Sequence, residues 1–251
     1  MVRPKKTLGQ HFLTNDSIAQ RIAESLDLNG VPVLEIGPGK GKLTQFLLKR
    51  FPDLLKVIEV DDESVEYLAA NFPDLHERVI AGDFLKTDFS THFASRFDVV
   101  GNFPYNISSQ ILFKMLEHRD KIHQLVGMFQ KEVADRVVAA PGSKTYGILS
   151  VLVQAFYKVE YLFTVQPGSF FPPPKVKSGV IRLKRNNREK LDCDEKVYFK
   201  VVKLAFNQRR KTLRNSLKSV ISPDISGKEI FNMRPEQLRP EDFEHICNLL
   251  E

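Results

Sequence analysis

Along the chain, short apolar runs rich in β-branched residues alternate with longer stretches in which apolar residues recur three or four positions apart. The runs are "VPVLEI" (31–36), "LLKVIEV" (54–60), "RVIAG" (78–82), "FDVVGN" (97–102) and "QLVGMFQ" (124–130). Continuous apolar runs of this length suit strands covered on both faces. Between them "KLTQFLLKRF", "ESVEYLAANF", "SQILFKMLEH" and "KEVADRVVAA" carry the period of amphipathic helices. The alternation predicts a doubly wound α/β domain with a largely parallel sheet and right-handed crossovers. After "PGSKTYG" the pattern predicts one more helix and then two strands, "VEYLFTV" and "VKSGVIRL". The segment "QPGSFFPPPK" separates them, so they form a hairpin-like addition at the sheet edge.

Near Arg185 the chain turns polar, with "RNNREKLDCDEK", and then helical in period. A boundary there predicts an α/β domain over 1–185 and a small helical domain over 186–251. With 42% hydrophobic and 27% charged residues in 251, the composition is globular. Cys193 and Cys247 are too far apart for a disulfide framework or a zinc site. The opening "MVRPKKTLGQHFL" lacks the apolar core of a signal peptide. Ser150, Gln154, Lys158 and Glu160 interrupt the most apolar region, 147–163, so no membrane span is expected. A cytoplasmic protein is the expectation.

The first strand runs into "EIGPGKG", where Gly37, Gly39 and Gly41 open a helix. At that place in a doubly wound sheet, missing side chains let the backbone approach a ligand. Lys42 stands where a dinucleotide fingerprint requires its last glycine, which counts against NAD. The second strand ends at Glu59, about the interval after Gly37 at which an acid reaches a ribose and accepts from its hydroxyls. Asp83, in "AGDF", ends the third. Three such features at consecutive strand ends point to a nucleoside cofactor without a pyrophosphate, for which S-adenosylmethionine fits better than a dinucleotide.

The fourth strand ends in "GNFPYN". An exocyclic adenine amine is a poor nucleophile because its lone pair is delocalised into the ring. If the Asn102 side-chain oxygen and a backbone carbonyl at Phe103 or Pro104 accept its two hydrogens, the nitrogen is drawn toward tetrahedral geometry. Proline fixes φ and offers no competing donor. Tyr105 supplies a flat face on which a base can stack, worth about 1 to 3 kcal/mol.

These residues resemble the amino-methyltransferase signature Asn/Asp-Pro-Pro-Tyr, in the variant of the rRNA adenine-N6 dimethyltransferase superfamily. The resemblance extends through "KKTLGQHFL", "LEIGPGKGKLT", "IEVD", "GDFL", "GNFPYNISS", "FQKEVADR", "YGILSVLVQ", "FFPPPKVKSGVIRL" and "FNQRRKTLRN", most of 5–215. Its small-subunit (16S) branch is the nearest in pattern. It implies a Rossmann-like class I fold with a seven-stranded, mostly parallel sheet, and S-adenosylmethionine as methyl donor. The reaction implied is dimethylation of N6 on two adjacent adenosines near the 3′ end of small-subunit rRNA, in the free RNA or the assembling subunit. Gly37 and Gly39 would then touch the methionine part, Glu59 the ribose and Asp83 the adenine. Asn102, with Pro104, would act at the transfer point and Tyr105 would stack on the target. The segment 10–13, with His11 and Leu13, would close over the cofactor; the family usually has Asn where this chain has His11. A phenylalanine before the prolines would face Tyr105, and spacing leaves Phe170 and Phe171 open, Phe171 being directly adjacent. No general base is required, since the cationic amine formed releases its proton to water. His76, His92, His118 and His123 are therefore read as structural or surface residues, and no metal is expected.

Lysines and arginines exceed acids by six overall. The window 200–218 holds seven basic residues and no acid, and its helical spacing places Arg210 and Arg214 on one face. With Arg209, Lys211 and Lys175, and with Lys5, Lys6 and Lys177 extending the track, it is read as a phosphate-gripping stripe. A monomer is expected. Two other readings stand beside this one: a large-subunit rRNA methyltransferase of the macrolide-resistance type, and a non-catalytic assembly or transcription factor on the same fold.

Overall fold

The computed structural model describes residues 2–186 and 188–250, with the side chains of Lys6 and His76 outside that description. The chain opens with β1 (Phe12–Leu13) and α1 (Asp16–Glu24). The alternating core follows as β2 (Val33–Ile36), α2 (Thr44–Arg50), β3 (Leu55–Glu59), α3 (Asp62–Asn71), β4 (Val79–Ala81), β5 (Phe97–Asn102), α4 (Ser108–Glu117) and β6 (Ile122–Gln130). Next come α5 (Lys131–Val138), α6 (Ile148–Gln154), β7 (Tyr157–Val165), β8 (Phe170–Phe171) and β9 (Ser178–Arg185). The helices α7 (Glu195–Asn207), α8 (Leu213–Ser216) and α9 (Pro240–Leu250) complete it.

Seven strands form one sheet in the order β4-β3-β2-β5-β6-β9-β7. The first five run parallel, and β9 pairs antiparallel with β6. The strand order turns around between β2 and β5, so the crevice for a ligand lies beyond their carboxyl ends. The loop after Ile36 and the end of β5 at Asn102 both fall there. All four residues of β2 are buried, as a strand covered on both faces requires.

Phe103 shapes that crevice. Its ring is buried, meets Phe129 edge-on at 4.9 Å, and lies over Gly101 and Gly127, which stand opposite each other in the β5–β6 register. A Cβ on Gly127 would come within 2.2 Å of the Phe103 ring, and one on Gly101 within 2.7 Å. The two glycines thus make the notch that lets the chain leave β5 with Asn102 at the crevice.

Two features depart from the sequence reading of the larger unit. Asp16–Glu24 is a helix, started by Asn15, whose side chain accepts from the Ile18 amide at 3.2 Å. And "QPGSFFPPPK" is more than a connection: Phe170–Phe171 pairs antiparallel with β1, matching Phe12 to Phe171 and Leu13 to Phe170. Strand alternation buries Leu13 and Phe170 in the core and turns Phe171 out, 63% exposed.

The described residues divide into two compact units, 1–134 with 160–185, and 135–159 with 186–251. In the second, α7 packs against α6, α8 and α9. Buried Glu244 there accepts two bonds from Arg188, each 2.6 Å, and one from the Asp192 amide at 2.8 Å. The basic window 200–218 is not one helix: α7 ends at Asn207, residues 208–212 turn, and α8 starts at Leu213. Arg210 and Arg214 therefore do not share a helical face. The reason is that no residue of 207–212 is buried, so nothing anchors another helical turn until Leu213, which is fully buried.

Gly127→Ala should destabilise the fold by about 1–3 kcal/mol, because the methyl overpacks against Phe103. Gly168→Ala, with nothing near its added Cβ, should stay within about 0.5 kcal/mol of wild type. Urea denaturation of both variants checks the pair, and equal stabilities would refute the notch.

Candidate active site

A cavity opens at the carboxyl ends of β2, β3, β4 and β5. The segment 8–12, Gly37, Glu59, Asp83 and 102–107 line it. Gly37 adopts φ 66°, and its amide donates to the Ile58 carbonyl at 2.9 Å. An added Cβ there would meet nothing within 4 Å. The left-handed backbone, rather than crowding, accounts for glycine at this position.

Glu59 is 4% exposed. Burial pushes its carboxyl pKa up, opposed by amides that favour the charged form. Gly39 donates to Oε2 at 3.0 Å, while Val60 and Asp61 donate to Oε1 at 2.9 and 3.0 Å. A carboxylate has about four lone-pair sites, so Oε2 keeps one for an external hydroxyl. Asp83 sits at the rim, where Oδ1 accepts from the Leu85 amide at 2.9 Å and Lys86 lies 3.8 Å from Oδ2. Val60, an apolar residue 52% exposed, lines the same wall.

At the end of β5 the Asn102 Nδ2 donates to the His11 carbonyl at 2.9 Å. A carbonyl only accepts, so the amide orientation is fixed and Oδ1 is left as an acceptor. The Pro104 carbonyl already accepts from the Ile107 amide at 3.3 Å and the Ser108 hydroxyl at 3.2 Å. Among the described residues no donor engages the Phe103 carbonyl, the other carbonyl that the sequence offers. The Tyr105 hydroxyl is 2.7 Å from the Ser178 hydroxyl, which fixes the ring, and burial pushes the phenol pKa up.

The segment 5–13 is strapped to this wall. The Lys5 ammonium pairs with Asp61 and, at 3.0 Å, with Glu63, and its amide donates to Gln10 Oε1 at 2.9 Å. Burial alone would raise the Asp61 pKa; Lys5 and Ser64 hold it below the usual range.

A second cavity shares Gly37 and Asn102 with the first and is also lined by Leu13, Glu35, Lys40 and Phe171. Leu13 thus contributes here rather than to the first cavity. Phe171 is exposed, whereas Phe170 is committed to the core. Lys175 and Lys177 are exposed on the larger unit. On the smaller, Arg210, Lys211 and Arg214 are exposed, and Arg209 donates to the Ser143 carbonyl at 3.2 Å. Of the histidines set aside, His118 packs edge-on against Phe89 at 4.9 Å and His123 lies 3.4 Å from buried Asp98. Among the described residues no group of three or more His, Cys, Asp and Glu could hold a metal ion, and no helix is long and apolar enough to cross a membrane.

Sequence reasoning missed Glu35, the packing role of the Phe103 ring, and Ser178. Only Glu35 gave a signal, an acid inside the otherwise apolar strand "VLEI".

An open glycine turn after β2, a buried acid with a spare lone pair at the end of β3 and an amide acceptor at the end of β5 define an S-adenosylmethionine-dependent methyltransferase of the Rossmann-like class. The chain belongs to the ribosomal RNA adenine dimethylase family, whose model matches residues 1–251. It is 60% identical over 246 residues to the ribosomal RNA small subunit methyltransferase A of Parabacteroides distasonis, covering 97% of this chain and 92% of that one. A dimethyladenosine transferase from Plasmodium falciparum superposes with a TM-score of 0.76 at 27% identity, over 93% of this chain and 94% of that one. The 23S rRNA methyltransferase ErmE gives 0.69 at 26%, over 94% and 99%.

Fully buried Glu35 accepts from the Thr44 hydroxyl at 2.7 Å, and burial pushes its pKa up to about 8. The folded state therefore keeps a proton that an unfolded glutamate releases near its ordinary value. The stability this contributes is complete below that ordinary value and is lost as pH rises through about 8. Glu35→Gln keeps the acceptor for Thr44 and cannot ionise. Its stability relative to wild type should increase steadily between mildly acid and mildly alkaline pH; a pH-independent difference in denaturation midpoints would contradict a neutral Glu35.

Proposed function

We propose that this protein dimethylates N6 of two adjacent adenosines near the 3′ end of small-subunit rRNA, acting as a cytoplasmic monomer on the RNA or the assembling subunit. The observation that carries the reading is the orientation of Asn102, whose amide nitrogen is held by the His11 carbonyl. Its Oδ1 is left for one N6 hydrogen, and the Phe103 carbonyl takes the other. Together they disfavour the planar amine and free its lone pair.

S-adenosylmethionine, when bound, supplies a methyl group on a cationic sulfonium. Gly37 and Gly39 give its methionine part room, Glu59 accepts from the ribose and Asp83 takes the adenine amine. His11 and Leu13 belong to the strap that closes this side. Pro104 holds the turn after Phe103. Tyr105, its hydroxyl tied to Ser178, presents a fixed ring face to the target adenine, and Phe171 is the exposed partner on the other side. The proton leaves the methylated amine to water. Lys175, Arg209, Arg210, Lys211 and Arg214 hold phosphates and set affinity without choosing the adenosine. The small-subunit assignment rests on the relative from Parabacteroides distasonis, a far closer match than the 23S enzyme.

Labelled methyl transfer to undermethylated small- and large-subunit particles, followed by nucleoside analysis, tests the reading. Dimethyladenosine should form on the small particle alone, and Asn102→Ala should lower the rate by about 10²-fold or more while still binding S-adenosylhomocysteine. Label on the large particle would assign the protein to the macrolide-resistance type, and binding without transfer would make it an assembly factor.

Phe171→Ala and Phe170→Ala should separate by kind of effect. The exposed residue should lose methyl transfer at unchanged stability; the buried one should lose about 3–5 kcal/mol of stability. Thermal melts beside initial rates distinguish them, and a destabilised Phe171→Ala would contradict its assignment to the target base.

A further inference from the structure

The strap and the loop carrying Phe171 are joined by a contact that the backbone cannot supply. The ladder between β1 and β8 covers Phe12↔Phe171 and Leu13↔Phe170, and the Thr14 amide extends it by donating to the Ser169 carbonyl at 2.8 Å. In the other direction it meets Pro172, Pro173 and Pro174, none of which has an amide hydrogen. What remains there is a carbonyl. The His11 ring nitrogen Nδ1 lies 2.7 Å from the Pro172 carbonyl oxygen. Because that oxygen can only accept, Nδ1 carries the hydrogen. The same residue's own carbonyl accepts from Asn102 Nδ2, and its ring centroid stands 5.3 Å from that of Tyr105.

We infer that His11 is a positioning residue for methyl transfer: its side-chain bond to Pro172 locks the Phe171 loop to the residue that orients Asn102. This deepens the function proposed above and rests on it. Phe171 and Asn102 belong to different strands, and a base held between them reacts only if their separation is fixed. Among the described residues, His11 is the one bonded both to the Pro172 carbonyl beside Phe171 and to the Asn102 amide. Without its side chain the strap still pairs with β8, but the Phe171 end of the ladder is free to fray.

The chemistry required at position 11 is narrow. Nδ1 is bonded directly to Cγ, and the amide nitrogen of asparagine is also bonded to Cγ. Asn can therefore place a donor where the His donor sits. Asp matches that shape with an acceptor only, and Leu has neither. The order of function should thus follow the donor rather than ring, size or charge.

The test compares wild type, His11→Asn, His11→Asp and His11→Leu in methyl transfer to undermethylated small-subunit particles. Calorimetric binding of S-adenosylhomocysteine and hydrogen exchange of segments 8–14 and 169–174 run alongside. Leu and Asp should lower kcat by about 10- to 100-fold, in keeping with the cost of small misplacements near the chemistry. Cofactor affinity should fall by less than kcat does, because the bond lost is the one to Pro172, and the Phe12 and Phe171 amides, at the end of the ladder that His11 holds, should exchange faster; Asn should restore most of the rate and the protection. If Leu matches Asn, or Asn fails as badly as Leu, the donor is not what matters. If cofactor affinity falls in step with kcat, His11 acts as a cofactor ligand and the inference is overturned. Absence of transfer by wild type would refute the functional reading, and the exchange data would still decide whether the His11 bond holds the strap.

Discussion

The hydrogen bond from the Asn102 amide to the His11 carbonyl determines what the crevice can do. A free asparagine presents donor or acceptor with equal ease, and a donor aimed at an adenine amine would repel it. The neighbouring carbonyl removes that freedom by taking the donor end. The rest of the site follows from holding the carbonyl in place. Lys5 and Gln10 fasten one end of the strap, and pairing with β8 fastens the other. The Phe103 ring, seated over Gly101 and Gly127, fixes the strand end from which Asn102 projects. Orienting one acceptor thus draws on contacts from five strands of the larger unit: β1, β5, β6, β8 and the end of β3.

Two glutamates near the glycine turn show how local environment divides one residue type into two roles. Glu35 and Glu59 belong to adjacent paired strands and both are buried. Glu59 receives three amide bonds, which compensate a charge and leave an acceptor at the cavity. Glu35 receives one hydroxyl, too little to compensate a buried charge, and burial raises its pKa to about 8. A single anion at this turn also spares the glycine loop the repulsion of a second.

Much of this was legible in the sequence because the order of strands and helices is written in local periodicity. Gly37, Glu59, Asp83 and Asn102 each end or follow a strand, and doubly wound topology brings those ends to one edge whatever the intervening residues are. What escaped depended on pairing between distant segments. Nothing in "FFPPP" announces that it will pair with "HFL", some 160 residues away, and Phe170 and Phe171 become distinguishable only once strand alternation buries one of them. Phe103 reads as an ordinary apolar residue until Gly127, from another strand, is set beneath its ring. The basic window misled for the converse reason: helical spacing persisted through 208–212, where there was no apolar surface to hold a helix.

The same geometry limits what the crevice can recognise. In the proposed reaction Asn102 and the Phe103 carbonyl would together require a nitrogen with hydrogens to give, and Tyr105 and Phe171 would require a flat ring. Stacking tolerates every base, so among RNA bases the amine acceptors select for an exocyclic amino group and not for a neighbourhood. Addition of the first methyl removes one of the two hydrogens that the acceptors engage, so the second transfer proceeds with one acceptor idle. An enzyme that completes both transfers must therefore hold the singly methylated base by stacking and by its phosphates. In the proposed reaction the grip of Tyr105 and of the basic residues would matter more at that step than at the first, because it would stand in for the hydrogen bond that the substrate can no longer make.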